Sequence, residues 1–179
     1  MEKAISSHRW YIANNNRHEV PAIHLIHLSH NFNGFKNIED AIEVLEGNMD
    51  MMTKTFKEDE VQAERELIGA YIESGEFLKA KSANEKRRSI DKDQWVVRLQ
   101  SGSIEGGLCN YKAAIAHFRE VIAELRKKEY DDSSMGKIRV HCSVLLARTL
   151  LRYSADNGPE AFAIFQEELD RCVNPLIRE

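Results

Sequence analysis

Apolar residues recur at helical spacing along most of the chain, and no segment alternates between apolar and polar positions as a strand does. Steps of three and four residues draw one continuous stripe, which is typical of the buried face of an amphipathic helix. The stripes cover residues 38–56, 111–125, 135–153 and 161–169. This pattern predicts an all-α protein.

Helix-breaking residues separate these stripes. Asn33-Gly34 and Ser74-Gly75 mark turns, and Asp156-Asn157-Gly158-Pro159 marks another before the last stripe. Because the connections are short, neighbouring helices are expected to run antiparallel, which gives about eight helices in four hairpins. We expect an N-terminal arm over residues 1–19, a helical domain over 20–172 and a C-terminal tail over 173–179.

The hairpins also repeat one another. Phe77 precedes Ala80 by three residues, and Tyr111 precedes Ala114 in the same way, 34 residues later. An aromatic side chain fills the corner of a hairpin, and a small residue beside it lets the two helices approach closely. Weaker copies flank these two, so that the recurring small residues are Ala41, Ala80, Ala114 and Ala161.

A period of 34 residues with this aromatic-to-alanine spacing resembles the tetratricopeptide repeat superfamily over residues 20–172. The resemblance implies a right-handed solenoid of antiparallel helical hairpins whose first helices line a groove for a protein or peptide segment. Lys92 stands where the family has a proline at the end of a repeat. The partner-binding residues implied by this register are His30, Gln62, Arg65, Ile72, Glu73, His141, Val144, Arg148 and Arg152.

Composition and charge narrow the class of protein. The 179 residues are 42% hydrophobic and include only 9 Gly and 3 Pro, which excludes a disordered or collagen-like chain. The net charge is −4, so no nucleic-acid partner is expected. Two basic clusters, over residues 79–88 and 126–128, are interpreted as solvated outer faces.

The cysteines indicate the compartment. Cys109, Cys142 and Cys172 form no CxxC pair, which is typical of reduced thiols. The sequence shows neither a signal peptide nor a membrane span, and we therefore expect a cytoplasmic protein without a membrane partner.

The motifs of enzymes and cofactor sites are absent from the sequence. The glycine-rich stretch 102–107 lies in a helical hairpin, where it indicates close helix packing rather than a phosphate cradle. His24, His27 and His30 are spaced so that neighbouring pairs could hold a metal ion, but the three drift around a helix, and a polar helix face is the favoured interpretation. We predict no catalytic residue, no metal and no cofactor.

These observations favour a non-enzymatic protein-interaction module that acts as a regulator or adaptor. A cytosolic chaperone of a secreted protein, or a phage or bacterial inhibitor of a host protein, is the alternative. A metal-dependent enzyme that uses the histidine row is the least favoured. A homodimer anchored by Trp10 and Tyr11 stays open.

Overall fold

The computed structural model describes residues 38–55, 57–128 and 134–173. These residues form seven α-helices and one short 3-10 helix, and they contain no strand. The predicted all-α class is therefore confirmed. The predicted N-terminal arm and the Asn33-Gly34 turn lie outside the described residues.

The helix bounds follow the apolar stripes and the breakers. The second helix ends at Ser74, at the predicted Ser74-Gly75 turn, and Pro159 stands in the first turn of the last helix. A 3-10 turn over Ala155–Asn157 precedes that last helix. The α-helices are α1 Ile38–Thr55, α2 Lys57–Ser74, α3 Phe77–Arg87, α4 Gln94–Gly107, α5 Tyr111–Lys128, α6 Ser134–Tyr153 and α7 Gly158–Val173.

The chain forms two compact units, the N-terminal unit Met1–Asp91 and the C-terminal unit Lys92–Glu179. In the N-terminal unit, α2 packs against both α1 and α3. The Tyr71 hydroxyl donates a hydrogen bond to the Glu46 carboxylate and so links α2 to α1. Burial and this carboxylate raise the pKa of Tyr71. The innermost side chains of this unit are Ala41, Leu45, Ala63, Ile68, Ala70 and Ala80.

In the C-terminal unit, α5 packs against α4 and α6, and α6 packs against α7. The Cys142 thiol of α6 donates to the Phe118 carbonyl of α5 at 3.6 Å, and burial raises the pKa of that thiol to about 12. Trp95 is partly buried and packs at the edge of the core. The core consists of Ala114, Ile115, Phe118, Val121, Ile122, Leu125, Cys142, Leu146, Ala147, Leu150 and Ala161.

Small residues set the distance between α4 and α5. A Cβ atom placed on Gly102 would lie 2.6 Å from Cε1 of the Phe118 ring, which is too close for two carbon atoms. One turn on, a Cβ atom on Gly106 would lie 3.8 Å from the Cβ of Ala114, an ordinary contact. Ala114 is wholly buried. The predicted close packing at Gly102 and Ala114 is confirmed.

The residues that follow α2 and α4, 34 positions apart in the sequence, have the same backbone conformation. Gly75 follows α2 with φ +82°, and Cys109 follows α4 with φ +63°. After each, the next amide donates a hydrogen bond back into the helix, from Glu76 to the Tyr71 carbonyl and from Asn110 to the Glu105 carbonyl, both at 2.8 Å. This left-handed cap is usually a glycine, because a Cβ atom disfavours it.

Replacing Cys109 by glycine is therefore expected to stabilise the C-terminal unit by about 0.5–1 kcal/mol, since it removes the strain of a side chain in the left-handed region. Gly75→Ala, at the equivalent cap, is expected to destabilise by about 1 kcal/mol. Urea unfolding measures both. A loss of stability in Cys109→Gly would show that the thiol contributes more than its backbone conformation costs.

Candidate functional site

The exposed face of α6 carries a row of basic side chains. Residues on a helix are about 100° apart, so Lys137, His141, Arg148 and Arg152 fall within an arc of about 60°. All four are exposed, and the half-buried Val144 lies beside them. We call these four residues the basic row. Lys137 was missed at the sequence level, although its spacing of four residues before His141 continues the row.

The opposite side of α6 makes the packing contacts. Cys142 contacts α5 through the Phe118 carbonyl, and Arg139 and Ser143 bind the Glu168 carboxylate of α7. The basic row therefore points away from both neighbours and into solvent. It extends over about 22 Å along the helix axis, at 1.5 Å per residue. No acidic residue occurs in α6 to neutralise it.

Most arginines of the C-terminal unit are held in ion pairs between helices or within one. These pairs are Arg98 with Glu124, Arg119 with Glu160, Arg126 with Glu167, Arg139 with Glu168 and Arg171 with Glu167. Within the described part of the chain, Arg148 and Arg152 have no such partner. Two guanidinium groups on one exposed helix face are thus available to an acidic ligand.

A hollow of about 510 Å³ lies at the α4–α5 turn, and it is lined in part by Cys109, Tyr111, Lys112 and Tyr153. The Lys112 ammonium lies 5.8 Å from the centre of the Tyr153 ring. The Tyr111 hydroxyl donates to the Cys109 sulfur, and this hydrogen bond raises the pKa of Tyr111, whereas the charge of Arg152 acts to lower it. The hollow therefore adjoins the Arg152 end of the basic row and offers aromatic surface there.

A second opening, of about 290 Å³, lies between α5 and α7. Both helices pack against α6 but not against each other. Arg119 pairs with Glu160 across this opening, and two turns further on Arg126 pairs with Glu167 at 2.5 Å. Because these pairs bridge it and use its charged groups, we interpret it as a seam of the fold rather than a ligand site.

A buried charge cluster joins α2 to the end of the N-terminal unit. Arg65 donates to both oxygens of Asp91, at 2.9 and 2.5 Å, and the Arg87 Nε lies 3.2 Å from the same carboxylate. The Arg87 side chain is 0% exposed, and burial lowers its pKa to about 10. The interpretation of residues 79–88 as a solvated face is wrong for Arg87. The spacing of four residues between Arg87 and Asp91 could have indicated this ion pair from the sequence.

The implied partner-binding residues of α2 have mixed environments. Gln62 donates to Glu66 of the same helix, Arg65 is held by Asp91, Ile72 is half-buried, and Glu73 is exposed. His30 lies outside the described residues. On α6, in contrast, the implied residues form one exposed face with the half-buried Val144 at its edge. The candidate site is therefore centred on α6.

The described residues also bear on metal binding and membrane insertion. Among them, no group of three His, Cys, Asp or Glu side chains could hold a metal ion. His24, His27 and His30 lie outside that part of the chain. None of the described helices is both long and apolar enough to cross a membrane.

Comparisons of the chain with protein-family models, with curated proteins and with solved structures give no match. Function is therefore inferred from the residues themselves. The strongest feature is the basic row of α6.

Proposed function

We propose that this chain is a non-enzymatic protein-interaction module that binds an acidic protein or peptide segment along the basic row of α6. The observation that carries the proposal is that Arg148 and Arg152 are exposed and have no ion-pair partner among the described residues, while the other described arginines of the same unit are paired. A guanidinium presents a planar fork of donors that matches a carboxylate, so such groups favour acidic ligands.

The dimensions of the row indicate the form of the ligand. A row of about 22 Å matches about 15 residues of a helix or about seven residues of an extended strand. Val144 adds an apolar contact beside the basic side chains, and Tyr111 and Tyr153 at the end of the row suit a large side chain. The expected ligand is an amphipathic segment with carboxylates on the side that meets α6.

We also propose that the helices are arranged as a solenoid of repeated hairpins. Two observations support this arrangement. In the C-terminal unit, α4 contacts α6 while each packs against the helix that follows it, as the first helices of successive hairpins do. In addition, the left-handed caps Gly75 and Cys109 recur at the 34-residue spacing of the sequence pattern. A regulator, an adaptor or a chaperone would use the same face, and the identity of the partner distinguishes them.

The charge of the row provides the test. Arg148→Glu with Arg152→Glu is expected to weaken binding of the native partner by about 10-fold or more, because each substitution replaces attraction by repulsion. Both side chains are exposed, so the helical circular-dichroism signal should not change. The partner is captured from native lysate by the wild-type chain, identified by mass spectrometry and then titrated against each variant.

The matched control reverses the same number of charges elsewhere. Lys127→Glu with Lys128→Glu alters the last turn of α5 and is expected to retain binding. If the control abolishes binding and the α6 pair does not, the partner uses α5 and the proposal fails. Capture of a nucleic acid in place of a protein by the wild-type chain would also contradict it.

A further inference from the structure

The last helix of the described chain exposes three large apolar side chains in line. Phe162, Phe165 and Leu169 are 68%, 40% and 56% exposed. At about 100° per residue they share an arc of about 60° on α7, and none of the charged residues of that helix falls within the arc. We call these three residues the α7 stripe. A contiguous apolar face of this kind on a water-soluble surface marks a contact with another molecule.

The ion pairs of α7 show which way the stripe faces. Glu160 and Glu167 lie on the side of α7 that reaches α5, and Glu168 lies on the side that packs against α6. The stripe is centred more than about 120° from both of the glutamates that reach α5, so it lies on the side of α7 away from α5. None of the helices described in the C-terminal unit covers that side.

The neighbouring helix extends the same apolar surface. Leu151 is 48% exposed and lies about 180° around α6 from Cys142, whose thiol contacts α5. It is therefore also on the side of α6 that faces away from α5. Leu151 thus extends the apolar surface of the α7 stripe on the side opposite to α5, next to the basic row of α6.

We propose that a second copy of this chain covers this face, with α7 of one copy antiparallel to α7 of the other. The positions of the stripe are self-complementary. A two-fold axis between residues 165 and 166 places Phe162 of one copy opposite Leu169 of the other, twice, and brings the two Phe165 rings together at the axis. Such reciprocal contacts define a two-fold symmetric interface.

Charge and area both favour this occupant. The stripe contains no charged side chain, so a copy can meet an identical copy without repulsion, while the Gln166–Asp170 hydrogen-bonded pair forms part of the polar rim. The helix α7 has 16 residues and is therefore about 24 Å long. With α6 packed beside it, the two helices are about 20 Å wide, so the face measures about 500 Å². The total of about 1,000 Å² lies at the lower limit for a biological interface, in the range of weak, reversible association.

Sedimentation velocity of the intact chain tests the proposal. At concentrations from about 1 to 100 μM, a range suited to an interface of this size, the wild type is expected to shift from 20.6 kDa towards twice that mass. Phe162→Glu alone and Leu169→Lys alone should each raise the dimer dissociation constant on the order of 30-fold. The double variant should recover the dimer, because the two introduced charges are opposite in sign and face each other across the interface.

Two control variants distinguish this interface from association through another surface. Leu78→Glu removes an apolar side chain of α3 that is 74% exposed, and it is expected to leave the dimer intact. Arg148→Glu with Arg152→Glu should also leave it intact, so failure of the dimer and failure of the proposed ligand face are distinguishable. A wild type that stays monomeric at the highest concentration, or a double variant that recovers no dimer, overturns the antiparallel pairing. A loss of dimer in Leu78→Glu as large as that in the α7 variants would also overturn the proposal.

Discussion

Replacing Asp91 by alanine is expected to lower the free energy of unfolding of the N-terminal unit by about 3–5 kcal/mol. The Asp91 carboxylate is wholly buried and faces two arginines. Arg65 forms two hydrogen bonds to it, and Arg87 pairs with it only electrostatically, since the Arg87 Nε and Nη1 form no hydrogen bond. Without Asp91, the Arg87 guanidinium stays buried, and only the weaker attraction of the Glu64 carboxylate offsets its charge.

Hydrogen exchange followed by mass spectrometry measures this effect, because it reports the opening of α2 and α3 peptide by peptide. Glu85→Ala is the control, since it removes a carboxylate that α3 exposes to solvent, and it should leave exchange unchanged. Arg87→Met combined with Asp91→Leu should cost less than Asp91→Ala alone, because it removes the wholly buried Arg87 charge together with its partner and leaves only Arg65, which is 22% exposed. If Asp91→Ala and Glu85→Ala have equal effects, the cluster contributes nothing to stability.

Gly102→Ala is the second substitution with a large expected effect, and its sign is the test. Alanine is normally better than glycine within a helix by about 1 kcal/mol. Here the new methyl group would meet the Phe118 ring at 2.6 Å, and that ring is fixed in the core. We expect a net destabilisation of the C-terminal unit of about 1–3 kcal/mol.

The same helix provides the matched control. Gly106→Ala, one turn further along α4, meets only an ordinary contact at 3.8 Å and is expected to be neutral or stabilising by up to about 1 kcal/mol. Phe118→Leu in the Gly102→Ala background should recover part of the loss. Denaturant unfolding followed by Trp95 fluorescence in a Trp10→Phe chain reports the unit that contains α4. A stabilising Gly102→Ala would mean that α4 and α5 are further apart than the structure has them.

Local pattern was sufficient to predict the helices and their close contacts. Breakers placed the end of α2 at Ser74 and the start of α7 beside Pro159, because both are set by neighbouring residues. The recurring alanines were also predictable as contact points, and Ala41, Ala80 and Ala114 are wholly buried. The basic row could have been completed from sequence, since Lys137 follows the same spacing.

Contacts distant in sequence were not predictable in this way. Arg65 meets Asp91 across 26 residues, and Arg139 meets Glu168 across 29, so nothing local distinguishes the half-buried Arg65 or the buried Arg139 from exposed arginines. An apolar period also does not tell which apolar residues pack within the chain. Phe162 and Ala161 both belong to the apolar stretch predicted over residues 161–169, yet Ala161 is buried and Phe162 is exposed.

The basic row of α6 is tested most directly by selecting binders for the intact chain from a library of random peptides. The selected peptides are expected to be rich in Asp and Glu at spacings of three or four residues. They should bind the wild type and the Lys127→Glu, Lys128→Glu chain, and they should lose binding to the Arg148→Glu, Arg152→Glu chain. Selected peptides that are neutral or basic, or acidic peptides that bind the α6 variant as tightly as the wild type, would contradict the proposed site.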